Sequence, residues 1–292
     1  MQILRKPEWL RKKVAPGAHA EMERLLSGLN LNTVCREAAC PNISECFQQK
    51  QATLLIMGIE CTRGCSFCNV NRSSPLPLDP LEPERVASAA VKLGLRHMVI
   101  TSPTRDDLPD GGAGHYVATI AAIRAISPET AIELLIPDFQ GSRESLAFVL
   151  AARPHIIGHN IETVPRLYTI RSGADYHRSL ELLRRAVEIS PWIPVKSGVM
   201  VGLGEEHEEM TATMGEIRST GCSYLSIGQY LAPSRAHTAV AAFIPPEEFD
   251  RYRDEALAMG FTHVESGPYV RSSYHAERYQ SQEEQTDDAD RK

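Results

Sequence analysis

No uninterrupted apolar run in the 292 residues approaches the ~18 that a membrane-spanning helix needs. The stretch from Met1 to Lys13 lacks the apolar core of a secretion signal. Positive charge is not in excess: the formal net charge is −6, so nucleic acid has no electrostatic claim as a partner. A complete phosphate-binding fingerprint is also missing. Gly202-Leu-Gly204-Glu205-Glu206 has no third glycine and would set acids against a phosphate, so it reads as a tight turn with acids at a helix N-terminus. The histidines are scattered and form no Ser-His-Asp arrangement. Cysteine is scarce outside one region, since six of the seven fall within residues 35–68. Disulfide staples would be spread out, and a chain in the reducing cytoplasm keeps its thiols for metal or catalysis. A cytoplasmic enzyme or metal protein is what these absences leave.

What is there begins with the loop Cys61-Thr-Arg-Gly-Cys65-Ser-Phe-Cys68, after an apolar run at 53–59. Three thiols on a loop loosened by Gly64 can converge on one small, soft metal centre. Soft thiolates select iron–sulfur clusters, zinc or Cu(I). A structural zinc site wants four ligands, as does a fully protein-ligated cubane, so three would leave one iron of a four-iron cluster open to a small chelating ligand. Zinc modules more often arrive as C-x2-C pairs, which makes zinc the lesser reading. A second triplet precedes it: Cys35, Cys40 and Cys46, spaced C-x4-C-x5-C. Two compact triplets argue for two clusters, with one shared six-cysteine site as the alternative. Cys222 reads as a buried apolar thiol at a strand start.

From residue 53 onward, strands alternate with helices. The strand candidates are 53–59, 97–102, 132–137, 156–161, 195–201 and 224–229, with a weaker seventh at 262–266. Their apolar, β-rich composition suits a parallel sheet buried on both faces. Amphipathic segments lie at 82–94, 115–126, 142–151, 175–189, 205–219 and 246–259, with Ser142 and Asp175 as N-caps and Pro246 in a first turn. Six or seven such units are too few for an eightfold barrel, so the fold class is α/β with a partial barrel. Barrel active sites sit at the C-terminal strand ends. There the sequence places Cys61–Cys68, Arg105-Asp106-Asp107, Asp110-Gly-Gly112, Asp138, His159-Asn160-Ile-Glu162 and Arg271–Tyr274, while the opposite turns at Leu93-Gly94 and Ser127-Pro128 look plain. Asp110-Gly-Gly112 is either a close approach to a cofactor or a turn. Asn160 and Glu162 should project into the mouth or hydrogen-bond within the barrel. Lys196, inside a strand, is either a cavity-facing functional group or paired with Glu133 or Glu162, since unpaired buried charge is costly. Residues 1–34 form a lead segment with a helix near Ala18–Leu29. Its Arg5, Lys6, Arg11, Lys12 and Lys13 read as a solvated arm or as a docking strip for an acidic protein.

The cysteine loop, with Phe67 before its third cysteine, resembles the S-adenosylmethionine-binding motif of radical SAM enzymes. Together with the second triplet and Arg271-Ser-Ser-Tyr274, the chain resembles the lipoyl synthases from about Lys6 to Ala276. Lys6-Pro-Glu-Trp-Leu-Arg11, Arg105-Asp-Asp-Leu-Pro-Asp-Gly-Gly112, His159-Asn-Ile-Glu-Thr163 and Gly228-Gln-Tyr230 also match. Pro103-Thr104, Gly64 and Ser66 are mild departures that touch no ligand. The resemblance implies a partial (β/α)6-type TIM barrel of the radical SAM kind at 53–276. It adds an N-terminal cluster-binding extension at 1–52, a C-terminal segment closing the site, and a disordered tail at 277–292. Implied too are two [4Fe-4S] clusters, one on Cys61, Cys65 and Cys68, the other on Cys35, Cys40 and Cys46 with a serine, Ser273 ahead of Ser272. Phe67, Asn160 and Glu162 would contact S-adenosylmethionine. The implied activity is sulfur insertion at C6 and C8 of an octanoyl chain on a lipoyl carrier domain, with S-adenosylmethionine cleaved to 5′-deoxyadenosyl radicals and the auxiliary cluster consumed as sulfur donor. Carriers would be the 2-oxoacid dehydrogenase acyltransferase subunit and the glycine cleavage H protein. A flavodoxin or ferredoxin would reduce the enzyme, and a further protein would repair its auxiliary cluster. The rival readings are another sulfur-inserting enzyme, similar to biotin synthase or a methylthiotransferase, and a non-catalytic electron-transfer or zinc-stabilised scaffold.

Overall fold

A computed structural model describes residues 5–11, 20–49 and 51–273, the side chain of Glu21 aside. The expected tail, Tyr274, Lys12, Lys13 and the first two residues of the expected N-terminal helix lie outside the described residues. One sheet organises the rest: β1 (Asn32–Thr33), β2 (Thr53–Leu55), β3 (His97–Thr101), β4 (Ala131–Leu135), β5 (Ile156–Gly158), β6 (Val195–Val201), β7 (Tyr224–Gln229) and β8 (His263–Gly267), paired in that order. β1 runs antiparallel to β2, and every later pairing is parallel. Each parallel step moves one place along the sheet, so the sheet curls in one direction into an open barrel.

Helices α1 (Ala20–Gly28), α2 (Val34–Glu37) and α3 (Ile43–Gln48) belong to the lead segment. The crossovers are α4 (Glu82–Leu93), α5 (Ala113–Ile126), α6 (Arg143–Ala151), α7 (Tyr176–Ile189), α8 (His207–Ser219) and α9 (Pro246–Ala258), one between each pair of parallel strands. Their ends have local causes. Ser142 accepts from the Ser145 amide and Asp175 from the Arg178 amide. Glu206 and Glu209 form a capping box, and Glu205 accepts the amides of Gly202 and Leu203, which makes the Gly202–Glu206 stretch the acid-capped turn expected of it. Asp110-Gly-Gly112 is likewise a turn, with Asp110 accepting from the amides of Gly112 and Gly114.

Two strands are shorter than the apolar runs imply. The 53–59 run stops at Leu55 because Met57 (φ 67°) and Gly58 (φ 89°) turn the chain into the cysteine loop. The 156–161 run stops at Gly158, and the chain reaches Glu162 in a left-handed conformation (φ 71°). Both reversals lie at the C-terminal strand ends, where the site is built.

One strand face packs Ile100, Ile132, Leu134 and Ile157 against the helices. The other faces the lumen. Near the N-terminal strand ends, Glu133 lies between Lys196 (2.8 Å) and His97 (3.1 Å), all three side chains buried. Lys196 is therefore paired with Glu133 rather than Glu162. Burial alone would raise the Glu133 carboxyl; Lys196 and His97 bring it below its ordinary value. Cys222 is buried, its thiol donating to the Val195 carbonyl at 3.2 Å.

The sheet is open between β8 and β1. The cysteine segment after β1 and the segment after β8 meet across that gap. Asn42 donates to the Tyr269 carbonyl at 2.7 Å, and Thr53 donates to Ser273 at 2.5 Å.

Candidate active site

The cysteine loop is pinned to the strand ends by Arg63. Its guanidinium binds Asp106 (2.6 and 2.8 Å) and Asp138 (3.0 and 2.7 Å) at once, and Arg178 adds a second cation to Asp138. Burial would raise the Asp138 carboxyl, but hydrogen bonds and charge from Arg63 hold it well below the usual carboxylate range. The amides of Arg63 and Val70 point at Cys61 and Cys68 sulfur, each at 3.4 Å. From the far side, the Thr238 amide donates to the Ser66 carbonyl at 2.8 Å, and His237 donates to the Cys68 carbonyl at 3.2 Å.

So held, Cys61, Cys65 and Cys68 line a cavity of 210 Å³ together with Phe67, Asn160, Glu162 and Arg171. Burial raises the Cys65 thiol and pushes Cys68 up to about 12. Thiols in that state lose their protons on binding metal.

A second cavity of 250 Å³ fills the lumen behind the first, lined by Cys35, Cys40, Met200, Ser272 and Ser273 among others. The two share Val34, Leu135, Asn160 and Glu162 as a common wall. Asn160 donates to Glu162 at 3.0 Å and to Ser272 at 2.7 Å, tying the partition to the C-terminal segment. A Cβ on Gly198 would come within 2.7 Å of the Asn160 oxygen, so any larger residue there would push the Asn160 amide aside. Glu162 is half-buried and desolvation raises its carboxyl, with Arg171 pulling the other way. A third cavity, 350 Å³, continues from Cys35, Cys40, Cys46 and Ser273 to Gly94, Arg96 and His97. Burial pushes Cys35 up to about 11.

The residues expected from sequence thus separate into two groups. Cys61, Cys65, Cys68, Phe67, Asn160 and Glu162 meet at the C-terminal strand ends. Cys35, Cys40, Cys46 and Ser273 run along the open side of the barrel toward the N-terminal ends of β2 and β3. The turn at Leu93-Gly94 after α4, plain in sequence, is the correction: it lines the cavity of the second triplet. Sequence reasoning missed Arg63, Arg171 and Thr53. An arginine inside a cysteine triplet is a signal that could have found the first.

All these thiols are free, and among the described residues no three Cys, His, Asp or Glu side chains converge on a single metal ion. A mononuclear zinc site would need sulfurs within ~2.3 Å of one point. Thiols ranged around cavities of 210 to 350 Å³ fit a body larger than one ion. Three thiols in one set, and three with a hydroxyl in the other, are donors suited to iron–sulfur cubes.

The family model of the radical SAM superfamily matches residues 55–217. A lipoyl synthase of Geobacter metallireducens is 66% identical over 282 residues, covering 97% of this chain and 100% of its own. That of Geobacter sulfurreducens is 65% identical, covering 96% and 92%. That of Alkaliphilus metalliredigens is 53% identical, covering 94% and 96%. Among solved structures, Streptococcus suis SuiB bound to S-adenosylmethionine superposes with a TM-score of 0.53 at 13% identity, over 84% of this chain and 59% of that one. Methylornithine synthase gives 0.50 at 15%, over 72% and 69%. At such identities these two speak for the fold alone.

Proposed function

The chain belongs to the lipoyl synthases of the radical SAM superfamily, and from that premise we propose a task for each residue of the two chambers. The family's reaction is sulfur insertion at C6 and C8 of a protein-bound octanoyl chain, with S-adenosylmethionine and [4Fe-4S] clusters. When bound, these groups supply what the side chains lack: reductive cleavage to a 5′-deoxyadenosyl radical, and sulfur. An unactivated alkyl carbon offers no acid–base handle, so the protein contributes binding, orientation and dryness rather than a general base. Two hydrogen abstractions require two molecules of S-adenosylmethionine.

Cys61, Cys65 and Cys68 hold the cluster that faces S-adenosylmethionine. Phe67, Asn160 and Glu162 orient that cofactor, and Arg171 offers a cation to its carboxylate. Cys35, Cys40 and Cys46 hold the auxiliary cluster. Ser273 is its fourth ligand in preference to Ser272, because Ser273 borders both cavities of the second triplet and Ser272 only one. Leu135, Val199, Met200 and Val270 offer apolar surface to an alkyl chain in the lumen.

The observation that carries this reading is the common wall. An acyl chain reaching the partition at Asn160 and Glu162 has the radical source on one side and the sulfur source on the other. The test is anaerobic reconstitution with octanoyl-lysine peptide, S-adenosylmethionine and reductant, read by mass. A dithiol product is expected, and 5′-deoxyadenosine without sulfur insertion would contradict it.

The substrates are octanoylated carrier proteins. We further propose the 2-oxoacid dehydrogenase acyltransferase subunit and the glycine cleavage H protein as the carriers, a flavodoxin or ferredoxin as reductant, and a separate cluster-repair protein. Residues 1–52 act as the cluster-binding extension and 53–276 as the catalytic barrel. No helix among the described residues is long and apolar enough to cross a membrane, and seven free cysteines suit a cytoplasmic protein.

A further inference from the structure

Thr53 opens β2, is 5% exposed and borders both cavities of the second cysteine triplet. Its position is rigid, since β2 is paired in register to β3 with Thr53 opposite Val99. The hydroxyl donates to Ser273 at 2.5 Å. Cys35 lines the same two cavities as Thr53. Thr53 and the serine it touches are 220 positions apart in sequence. A threonine hydroxyl carries a single proton, and here it is given to Ser273.

We propose that Thr53 is a positioning residue of the auxiliary centre, a hydrogen-bond donor that sets how firmly Ser273 holds its iron. The proposal rests on the reading of Cys35 and Ser273 as ligands of one cluster. A hydrogen bond donated to an anionic ligand withdraws electron density from the metal bond, weakening it and raising the potential of the centre. The contact is charge-assisted once the serine oxygen is bound as an anion. Serine is already the harder, weaker partner for iron, and Thr53 loosens it further. The site is thereby built to give up that one iron before the others.

The test uses full-length protein carrying both clusters, kept anaerobic, without S-adenosylmethionine. Iron transfer to excess ferrozine and the reduction potential of the auxiliary centre are measured for wild type, Thr53→Val, Thr53→Ser and Ser273→Ala. Thr53→Val keeps the shape and removes the donor. It is expected to release its first iron about five- to tenfold more slowly, the scale of one lost hydrogen bond, and to show a more negative potential. Thr53→Ser should restore both values, and Ser273→Ala should release faster than wild type. Equal or faster release from Thr53→Val, with Ser273→Ala altered, overturns the proposal and leaves the serine ligand standing. If Ser273→Ala also matches wild type, the ligand reading beneath it falls. Should Thr53→Val fail to load two clusters, Thr53→Ala read in the same way decides.

Discussion

Glu162 sets a carboxyl where charge is costly, and desolvation raises it accordingly. A ligand that brings an ammonium group to it relieves that cost. Glu162→Gln is therefore expected to weaken S-adenosylmethionine binding by about tenfold or more in equilibrium dialysis while leaving the iron content unchanged. Unchanged affinity would remove Glu162 from the cofactor site. His159, two residues before Ile161, behaves oppositely. Burial and then Arg171 press its imidazole down to about 3, so it is neutral in the folded chain. Its ordinary value is 6.5, so the unfolded chain binds the extra proton between those values. Stability from this group is full above about pH 6.5 and is lost as pH falls toward 3, by about 2 kcal/mol at pH 5. Denaturant melts of wild type and His159→Gln from pH 7 to 5 check the sign: the wild type should lose more. Asn160 and Glu162 were legible as polar residues closing an apolar strand. The bond from Asn160 to Ser272 was not, because nothing local to either residue points across 112 positions.

At the scale of elements, the decisive piece is the loop Cys61–Cys68 and its clamp. Asp138 is fully buried, and Arg63 is 7% exposed. Arg63→Met would strand that carboxylate, and a loss of about 3 kcal/mol is expected in chemical denaturation. A change within 0.5 kcal/mol would mean that Arg178 alone suffices. The two triplets should also come apart functionally. Cys65→Ala is expected to abolish S-adenosylmethionine cleavage, whereas Cys40→Ala should form 5′-deoxyadenosine and no dithiol. Ser273→Ala should follow Cys40→Ala rather than Cys65→Ala. Identical behaviour of all three would refute a division of labour. The helices and most strands could be read from periodicity and caps, as at Ser142, Asp175 and Glu206. The early ends of β2 and β5 could not. They depend on left-handed conformations at Met57 and Glu162 that no residue preference favours, and which the cysteine loop and the partition impose.

The described residues form a barrel left open between β8 and β1, across which the segments before β2 and after β8 meet. Curling without closure follows from six crossovers, and was legible in the count of β/α units. What fills the gap was legible only as chemistry: the Cys35–Cys46 set and a Ser-Ser pair, far apart in sequence, suited to one centre. The contacts that bring them there, Asn42 to Tyr269 and Thr53 to Ser273, join residues more than 200 positions apart and leave no periodic trace. The turn after α4 was misread for the same reason, since its role appears only once the lead segment packs beside it. The account's central claim is that the centre on Cys35, Cys40, Cys46 and Ser273 is consumed as the sulfur source for a chain activated next door. The most direct measurement is a single turnover of protein whose clusters were built with heavy-isotope sulfide, transferred to medium free of sulfide, with the product weighed. Both inserted sulfurs carrying the heavy isotope is the predicted result; light sulfur in the product would contradict the account.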